Sequence, residues 1–107
     1  PEETRARLKA DVERSYCPEG FQRQYAAAAA SPDRRPMIAH ITAPTVVIHG
    51  SADPLVPLAG GKDTAENIPG AELKIIEGMG HDFPPALYDT VVDAIMVAVN
   101  RAKAEAV

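Results

Sequence analysis

The sequence has few of the residues that crosslink chains or contact membranes. Its 107 residues include no tryptophan, 5% aromatic residues and a single cysteine, Cys17. One cysteine excludes an internal disulfide and a cysteine-based metal cluster, and it favours a cytoplasmic location. No apolar run approaches the roughly 20 residues of a membrane-spanning helix, and no signal peptide is visible, so no membrane partner is expected.

Charge of one sign is not concentrated anywhere in the chain. The sequence has 11 lysines and arginines against 15 aspartates and glutamates, for a formal net charge of −4. The basic residues are scattered, apart from Arg34 and Arg35, whereas a nucleic-acid-binding face needs them gathered on one side. The sequence therefore predicts no nucleic-acid partner. Its length suits one small domain with one core.

Two helices are predicted in the first thirty residues. Between Glu2 and Tyr16, apolar residues recur every four positions and charged residues cover the other faces, which is typical of an amphipathic helix. The segment 17–20 contains a proline and a glycine and ends it. Residues 21–30 are strong helix formers and predict a second helix, followed by a turn-rich connection over 31–36.

Two short apolar strands, separated by a helix-length segment, form the centre of the sequence. Residues 46–48 are consecutive apolar residues and 73–76 are nearly so, a pattern typical of strands covered on both faces in a parallel sheet. Residues 59–68 have the length of a right-handed crossover helix. The sequence thus predicts a parallel βαβ unit, followed by a long amphipathic helix from about residue 85 to residue 104.

Each predicted strand breaks at a glycine and then presents one ionisable residue. Asp53 follows the first strand and His81 follows the second. Because parallel neighbours end at the same sheet edge, we expect both side chains to emerge side by side where open α/β sheets place catalytic groups. Such a pair can act as an oriented general base. Asp-Pro is also a common turn and a histidine after glycine can satisfy a loop, so spacing alone leaves both interpretations open.

Five motifs between residues 19 and 102 occur together. They are Glu19–Gln24, Ser31–Arg35, Pro44–Pro57, Ile68–Ala71 and Gly78–His81. This set resembles the C-terminal part of a bacterial α/β-hydrolase, and the first two motifs resemble the cap-to-core connection of esterase-like members. In that family the catalytic triad follows the order nucleophile, acid, histidine. The resemblance implies that Asp53 is the triad acid and His81 the triad base.

The sequence departs from that family in lacking a recognisable nucleophile. It contains no Gly-x-Ser-x-Gly and no oxyanion-loop motif. Ser51 lies on the loop after the first strand, and Ser15 and Ser31 lie in helix or linker contexts rather than on a strand–turn–helix elbow. Cys17 is an ordinary helix-end residue. We therefore predict that the nucleophile is not one of these 107 residues.

The remaining ionisable candidates have ordinary explanations. His49 ends the first strand and is expected to pack or to bond locally, and His40 in the linker is expected to be solvated. Asp82 directly follows His81, and adjacency points its side chain away, which favours Asp53 as the acid. The histidines are too dispersed in sequence to suggest a metal site.

Two glycine- and proline-containing segments also carry no chemistry. Gly60-Gly61 matches neither the P-loop nor the dinucleotide-binding pattern. Because no metal site is expected either, the sequence predicts no cofactor. The segment 54–57 is apolar and bounded by prolines. We interpret it as a loop in which Leu55 and Val56 face inward.

The predicted fold class is α/β: the C-terminal βαβ-α portion of an α/β-hydrolase fold, with two preceding cap-like helices and an incomplete parallel sheet. Residues 1–40 are interpreted as cap-derived helices and linker, and residues 41–107 as the C-terminal part of the hydrolase core. The chain begins at Pro1 rather than Met, and we expect it to be the later part of a longer protein. Two parallel strands leave an exposed edge, which a missing N-terminal portion or a second copy would cover.

Two functions of different classes follow. By the resemblance, the chain supplies the acid and base of a serine hydrolase acting on small-molecule carboxylic esters, and without a nucleophile it is predicted to be inactive alone. The alternative is a non-catalytic, truncated domain that binds a partner or self-associates through its open strand edge. A nucleophile-bearing segment upstream discriminates between the two.

Overall fold

The structure is a computed structural model that describes residues 1–106. Its helices and strands are α1 (Glu2–Ser15), α2 (Pro18–Ala30), α3 (Arg35–Ile38), β1 (Val46–Gly50), α4 (Leu58–Asn67), β2 (Glu72–Ile76) and α5 (Tyr88–Glu105), with a 3₁₀ turn at Pro85–Leu87. Contacts divide the chain into two compact units, Pro1–Asp33 and a second that begins at Arg34. The last residue of the predicted core segment 41–107 lies outside the described residues.

The first unit consists of α1 and α2. Helix α2 begins at Pro18, three residues before the predicted start, because a proline in the first helical turn gives up an N–H that has no helical partner there. Neither helix contains a buried residue, and Leu8, Val12 and Phe21 are each more than half exposed. The core of the described chain therefore lies in the second unit.

The second unit is built on a parallel pair of strands. β1 and β2 run in register from Val46 opposite Glu72 to Gly50 opposite Ile76, and α4 connects them. Glu72 also donates its N–H to the carbonyl oxygen of Thr45 at 3.0 Å, which extends the pairing by one residue. The α/β fold class and the βαβ-α order predicted from the sequence are confirmed.

One face of the two strands is covered by α5. Ile76, Met79 and Val91 form the buried cluster, with Ile48 and Leu87 packed against it. The apolar periodicity of α5 explains this packing, because residues three and four apart share a helix face.

Arg101 links α5 to the turn before β2. Its guanidinium donates to the carbonyl oxygen of Gly70 at 3.0 Å and lies 3.6 Å from the carboxylate of Glu72. Gly70 has φ +70°, a backbone conformation that favours glycine, so the turn presents its carbonyl to the arginine without steric cost. The contact therefore joins the C-terminal part of α5 to the turn before β2.

The sheet is two-stranded within the described residues, so each strand has one edge without a strand partner. Ile75 on β2 keeps 39% of its surface exposed. Across residues 1–106, no helix is both long enough and apolar enough to cross a membrane.

Candidate functional site

The loops after β1 and β2 are joined to each other by backbone hydrogen bonds. Ser51 donates its N–H to the carbonyl oxygen of Ile76, and Ala52 donates to that of Met79, both at 3.0 Å. A side chain at Gly50 would collide with the carbonyl oxygens of Met79 and Gly80. The glycine that ends β1 therefore lets the second loop cross directly over the first strand.

A serine side chain adds a third link between the loops. The hydroxyl oxygen of Ser51 accepts the N–H of Gly78 at 2.9 Å. Gly78 has φ +73°, so it supplies the left-handed turn that directs its N–H there. Ser51 is thus a structural group of the site, consistent with its position off any nucleophile elbow.

This framework brings Asp53 and His81 into contact. The Nδ1 atom of His81 lies 3.0 Å from Oδ2 of Asp53. The carboxylate is only 6% exposed, whereas the imidazole is 49% exposed. An ionised carboxylate can only accept hydrogen bonds, so Nδ1 carries the hydrogen and a neutral His81 has its lone pair on Nε2. An oriented imidazole with an unprotonated Nε2 can accept a proton from a bound reactant.

The Asp53 carboxylate is also held by its own loop. Its Oδ1 accepts the N–H groups of Leu55 at 2.8 Å and Val56 at 2.9 Å, the local turn that aspartate side chains commonly form. The pKa of Asp53 is lowered from 3.8 to about 2, chiefly by the Val56 N–H, against the opposing effect of burial, and further by His81 and Leu55. Asp53 is therefore ionised at neutral pH.

The prediction that Leu55 and Val56 face inward is wrong. Leu55 is 69% exposed and Val56 is 40% exposed. The loop turns its backbone N–H groups, rather than its side chains, toward Asp53, because a carboxylate oxygen can accept both of them. These backbone donors were missed in the sequence, although an aspartate followed by a proline-bounded loop is the signal that could have indicated them.

The other histidines lie where local roles were expected. His49 is 9% exposed, and its Nε2 lies 2.9 Å from the carbonyl oxygen of Val56. His40 is exposed. Asp82 is exposed too, and the carboxylate in hydrogen-bond contact with His81 is that of Asp53. The structure thus brings together the two residues that the sequence singled out.

A cleft of about 320 Å³ opens beside the pair. It is lined by Asp53 and His81 together with apolar residues, namely Ile48, Val56, Met79, Phe83 and Val91. The ring of Phe83 stands edge-on to that of Tyr88, with centroids 6.3 Å apart. Apolar walls with a few polar groups are typical of small-molecule sites.

A second, larger groove of about 640 Å³ lies in the first unit, between α1 and α2. Its lining contains no histidine, and Asp11 is its one carboxylate, so it offers no acid–base pair. No group of three or more histidine, cysteine, aspartate or glutamate side chains within residues 1–106 is arranged to hold a metal ion.

Comparison with known proteins finds one family and several relatives that match this chain. The family described as TAP-like protein matches residues 19–98. The rhodomycin D methylesterase DauP of Streptomyces sp. (strain C5) is 38% identical over 65 residues, which are 61% of this chain and 22% of that protein. The rhodomycin D methylesterase DnrP of Streptomyces peucetius is 34% identical over 65 residues, with the same two shares.

A third relative carries a different name. The non-heme chloroperoxidase CPO-A1 of Kitasatospora aureofaciens is 51% identical over 39 residues, which are 36% of this chain and 14% of that protein. The chain thus spans about a fifth of the length of the two methylesterases and less of the chloroperoxidase.

Proposed function

The chain belongs to the TAP-like protein family of the α/β-hydrolase superfamily, and from this we propose that it supplies the acid and the base of a serine hydrolase acting on carboxylic esters. The observation that carries the proposal is the 3.0 Å contact between His81 Nδ1 and Asp53 Oδ2 at the carboxyl ends of two parallel strands. Asp53 is the triad acid and His81 the triad base.

In this mechanism His81 moves protons and Asp53 holds it in place. A serine hydroxyl attacks the ester carbonyl while Nε2 of His81 takes its proton, and the ionised Asp53 stabilises the resulting imidazolium. The resulting tetrahedral intermediate collapses by breaking its bond to the alkoxy oxygen, which takes the proton from Nε2, so the alcohol leaves and the acyl-enzyme remains. Water, deprotonated by the same nitrogen, attacks the acyl carbon; the bond to the serine oxygen then breaks, Nε2 returns the proton to that oxygen, and the carboxylic acid is released.

The serine and the oxyanion donors come from outside this sequence, which contains no Gly-x-Ser-x-Gly. We place them on an N-terminal portion of the hydrolase that pairs with a strand edge of the β1–β2 sheet. The chain alone is then inactive, because a base without a nucleophile forms no acyl-enzyme.

The substrate class is a small carboxylic ester with an apolar part. The apolar walls of the cleft beside Asp53 and His81 support this, since they would surround the acyl or alcohol group. Two of the relatives are named methylesterases, which favours a methyl ester as the substrate.

A second candidate function is a non-catalytic domain that binds a partner, or a second copy, through a strand edge. The observation that favours it is the two-stranded sheet, whose outer edges have no strand partner within the described residues. Such edges are templates for pairing with another chain.

Denaturing mass spectrometry of the purified material, followed by an ester assay, tests the proposal. We expect a second polypeptide with a Gly-x-Ser-x-Gly, and hydrolysis of p-nitrophenyl butyrate by the assembled protein. Asp53→Asn should lower kcat by about 10⁴-fold because the imidazole loses its orienting acceptor, and His81→Ala should lower it at least as much.

Asp82→Asn is the matched control, since it removes the carboxylate adjacent to His81 without touching the pair, and it should leave the rate unchanged. An active assembly in which His81→Ala hydrolyses the ester at the wild-type rate would show that the triad assignment is wrong. A single polypeptide with no turnover, which associates with itself, would favour the non-catalytic alternative.

A further inference from the structure

The buried histidine of β1 lies directly beneath the Asp53 loop. His49 is 9% exposed, and its ring is packed against α4, where a side chain at Gly61 would come within 2.5 Å of Nδ1. The Nδ1 edge of the ring therefore faces a helix backbone. The Nε2 edge faces the loop that carries Asp53.

The hydrogen bond made by His49 determines its tautomer. Nε2 lies 2.9 Å from the carbonyl oxygen of Val56, and a carbonyl can only accept, so Nε2 carries the hydrogen. Nε2 is 3.7 Å from Oδ2 of Asp53, beyond hydrogen-bond distance. His49 thus bonds the loop rather than the carboxylate, which leaves Oδ2 to His81.

Both backbone polar groups of Val56 are hydrogen-bonded. Its N–H is donated to Oδ1 of Asp53 at 2.9 Å, while its carbonyl oxygen accepts from His49. Its side chain is 40% exposed and that of Leu55 is 69% exposed, so apolar packing does little to hold this loop. Besides the bond from the Asp53 N–H to the carbonyl oxygen of Gly50, the hydrogen bond to the buried His49 ring joins this loop to the strand.

We propose that His49 is a positioning residue for the Asp53–His81 pair, acting through Val56 to hold the loop that fixes the Asp53 carboxylate. The inference deepens the proposed function and rests on it for its catalytic meaning. The geometric part, that His49 sets the environment of Asp53, stands by itself and can be measured without turnover.

Two substitutions separate hydrogen bonding from packing. In His49→Gln the side-chain amide nitrogen is separated from Cβ by the same number of bonds as Nε2 of histidine. It can therefore still donate to the carbonyl oxygen of Val56. In His49→Asn the amide nitrogen corresponds to Nδ1, next to Gly61, and cannot reach Val56. Both replace an aromatic ring by a carboxamide and differ by one methylene group, and only His49→Gln keeps a donor that reaches Val56.

The readout is the carboxyl pKa of Asp53, followed by carbon-13 NMR titration of the full chain. It should stay at about 2 in the wild type and close to that value in His49→Gln, and rise toward 3.8 in His49→Asn as the Val56 N–H leaves Oδ1. A folded His49→Asn protein whose Asp53 pKa equals that of the wild type, or equal pKa values in the two variants, overturns the proposal.

Nitrogen-15 NMR of the wild-type imidazoles supplies a measurement that needs no variant. We expect the His49 hydrogen on Nε2, exchanging slowly with water. A hydrogen on Nδ1 overturns the proposal even if His49→Asn fails to fold. In an active assembly, His49→Asn should lower kcat rather than raise KM. If the assembled protein shows the expected Asp53 pKa pattern but no ester turnover, the hydrolase function is refuted and the positioning role of His49 is not.

Discussion

The two carboxylate oxygens of Asp53 have separate partners. Oδ1 accepts two backbone N–H groups from its own loop, and Oδ2 accepts from His81. This division matters for a triad acid, because the loop holds the carboxylate independently of His81, and the carboxylate can then orient the imidazole. Preorganisation of this kind does not depend on the nucleophile, so it can be examined in the chain itself.

The low pKa of Asp53 predicts a specific loss of stability in acid. The folded value of about 2 lies below the ordinary value of 3.8, so the folded protein favours the ionised form. The contribution is complete above about pH 4 and is lost as the pH falls through 3.8 toward 2. In urea unfolding, the wild type should therefore lose more stability than Asp53→Asn between pH 5 and pH 2.

The exposed neighbour Asp82 provides the control for that experiment. Asp82→Asn should follow the wild type through the acid range, because it leaves every bond to Asp53 in place. Parallel loss of stability by the wild type and Asp53→Asn would show that the loop hydrogen bonds do not favour the ionised carboxylate.

At the scale of elements, the site depends on how closely two loops cross. Gly50 ends β1 beneath the backbone of residues 79–80, and the loop hydrogen bonds of Ser51 and Ala52 need that approach. A strand that ended in any larger residue would push the second loop, and His81 with it, away from the sheet edge.

Gly50→Ala is accordingly expected to be strongly destabilising. The added methyl group would meet backbone carbonyl oxygens, which cannot rotate away as a side chain could. We expect a loss of about 3 kcal/mol or more, at the upper end of what overpacking costs, measured by urea unfolding.

Gly80→Ala is the matched control for that substitution. It adds the same group directly before His81, where no atom beyond the two adjacent residues lies within 4 Å of the new Cβ, and φ there is not positive. It should change stability by less than about 0.5 kcal/mol, as surface substitutions usually do. Equal losses in the two variants would contradict the close crossing of the loops.

At the scale of the whole molecule, the candidate site is contained in the second unit. The hydrogen bonds that hold the pair all join residues between His49 and His81. The buried cluster is also in this unit, whereas α1 and α2 bury no residue.

Deletion of residues 1–33 is therefore expected to leave the Asp53–His81 contact intact. The Asp53 carboxyl should keep a pKa of about 2 in the shortened chain, followed by carbon-13 NMR. A matched deletion of residues 77–107 removes His81 and α5 and should unfold the sheet. A rise of the Asp53 pKa toward 3.8 after the first deletion would show that α1 and α2 help to build the site.

The sequence by itself determined the local elements and the two ionisable residues. The apolar runs of β1 and β2, the helix-length spacing between them and the periodicity of α5 are local patterns, and they predicted a parallel βαβ-α unit that the structure confirms. Parallel strands end at one edge, so that order of elements also predicted that Asp53 and His81 would meet. Their catalytic roles remain a proposal.

The tertiary structure alone decided how the pair is held. The anchoring of Val56 by His49 and the link from Ser51 to Gly78 join residues that are neighbours only after the loops have crossed. The inward orientation of Leu55 and Val56 was predicted from their apolar side chains and is wrong. Backbone donors carry no side-chain signature in a sequence, and which groups they satisfy is settled only when the chain brings a carboxylate to them.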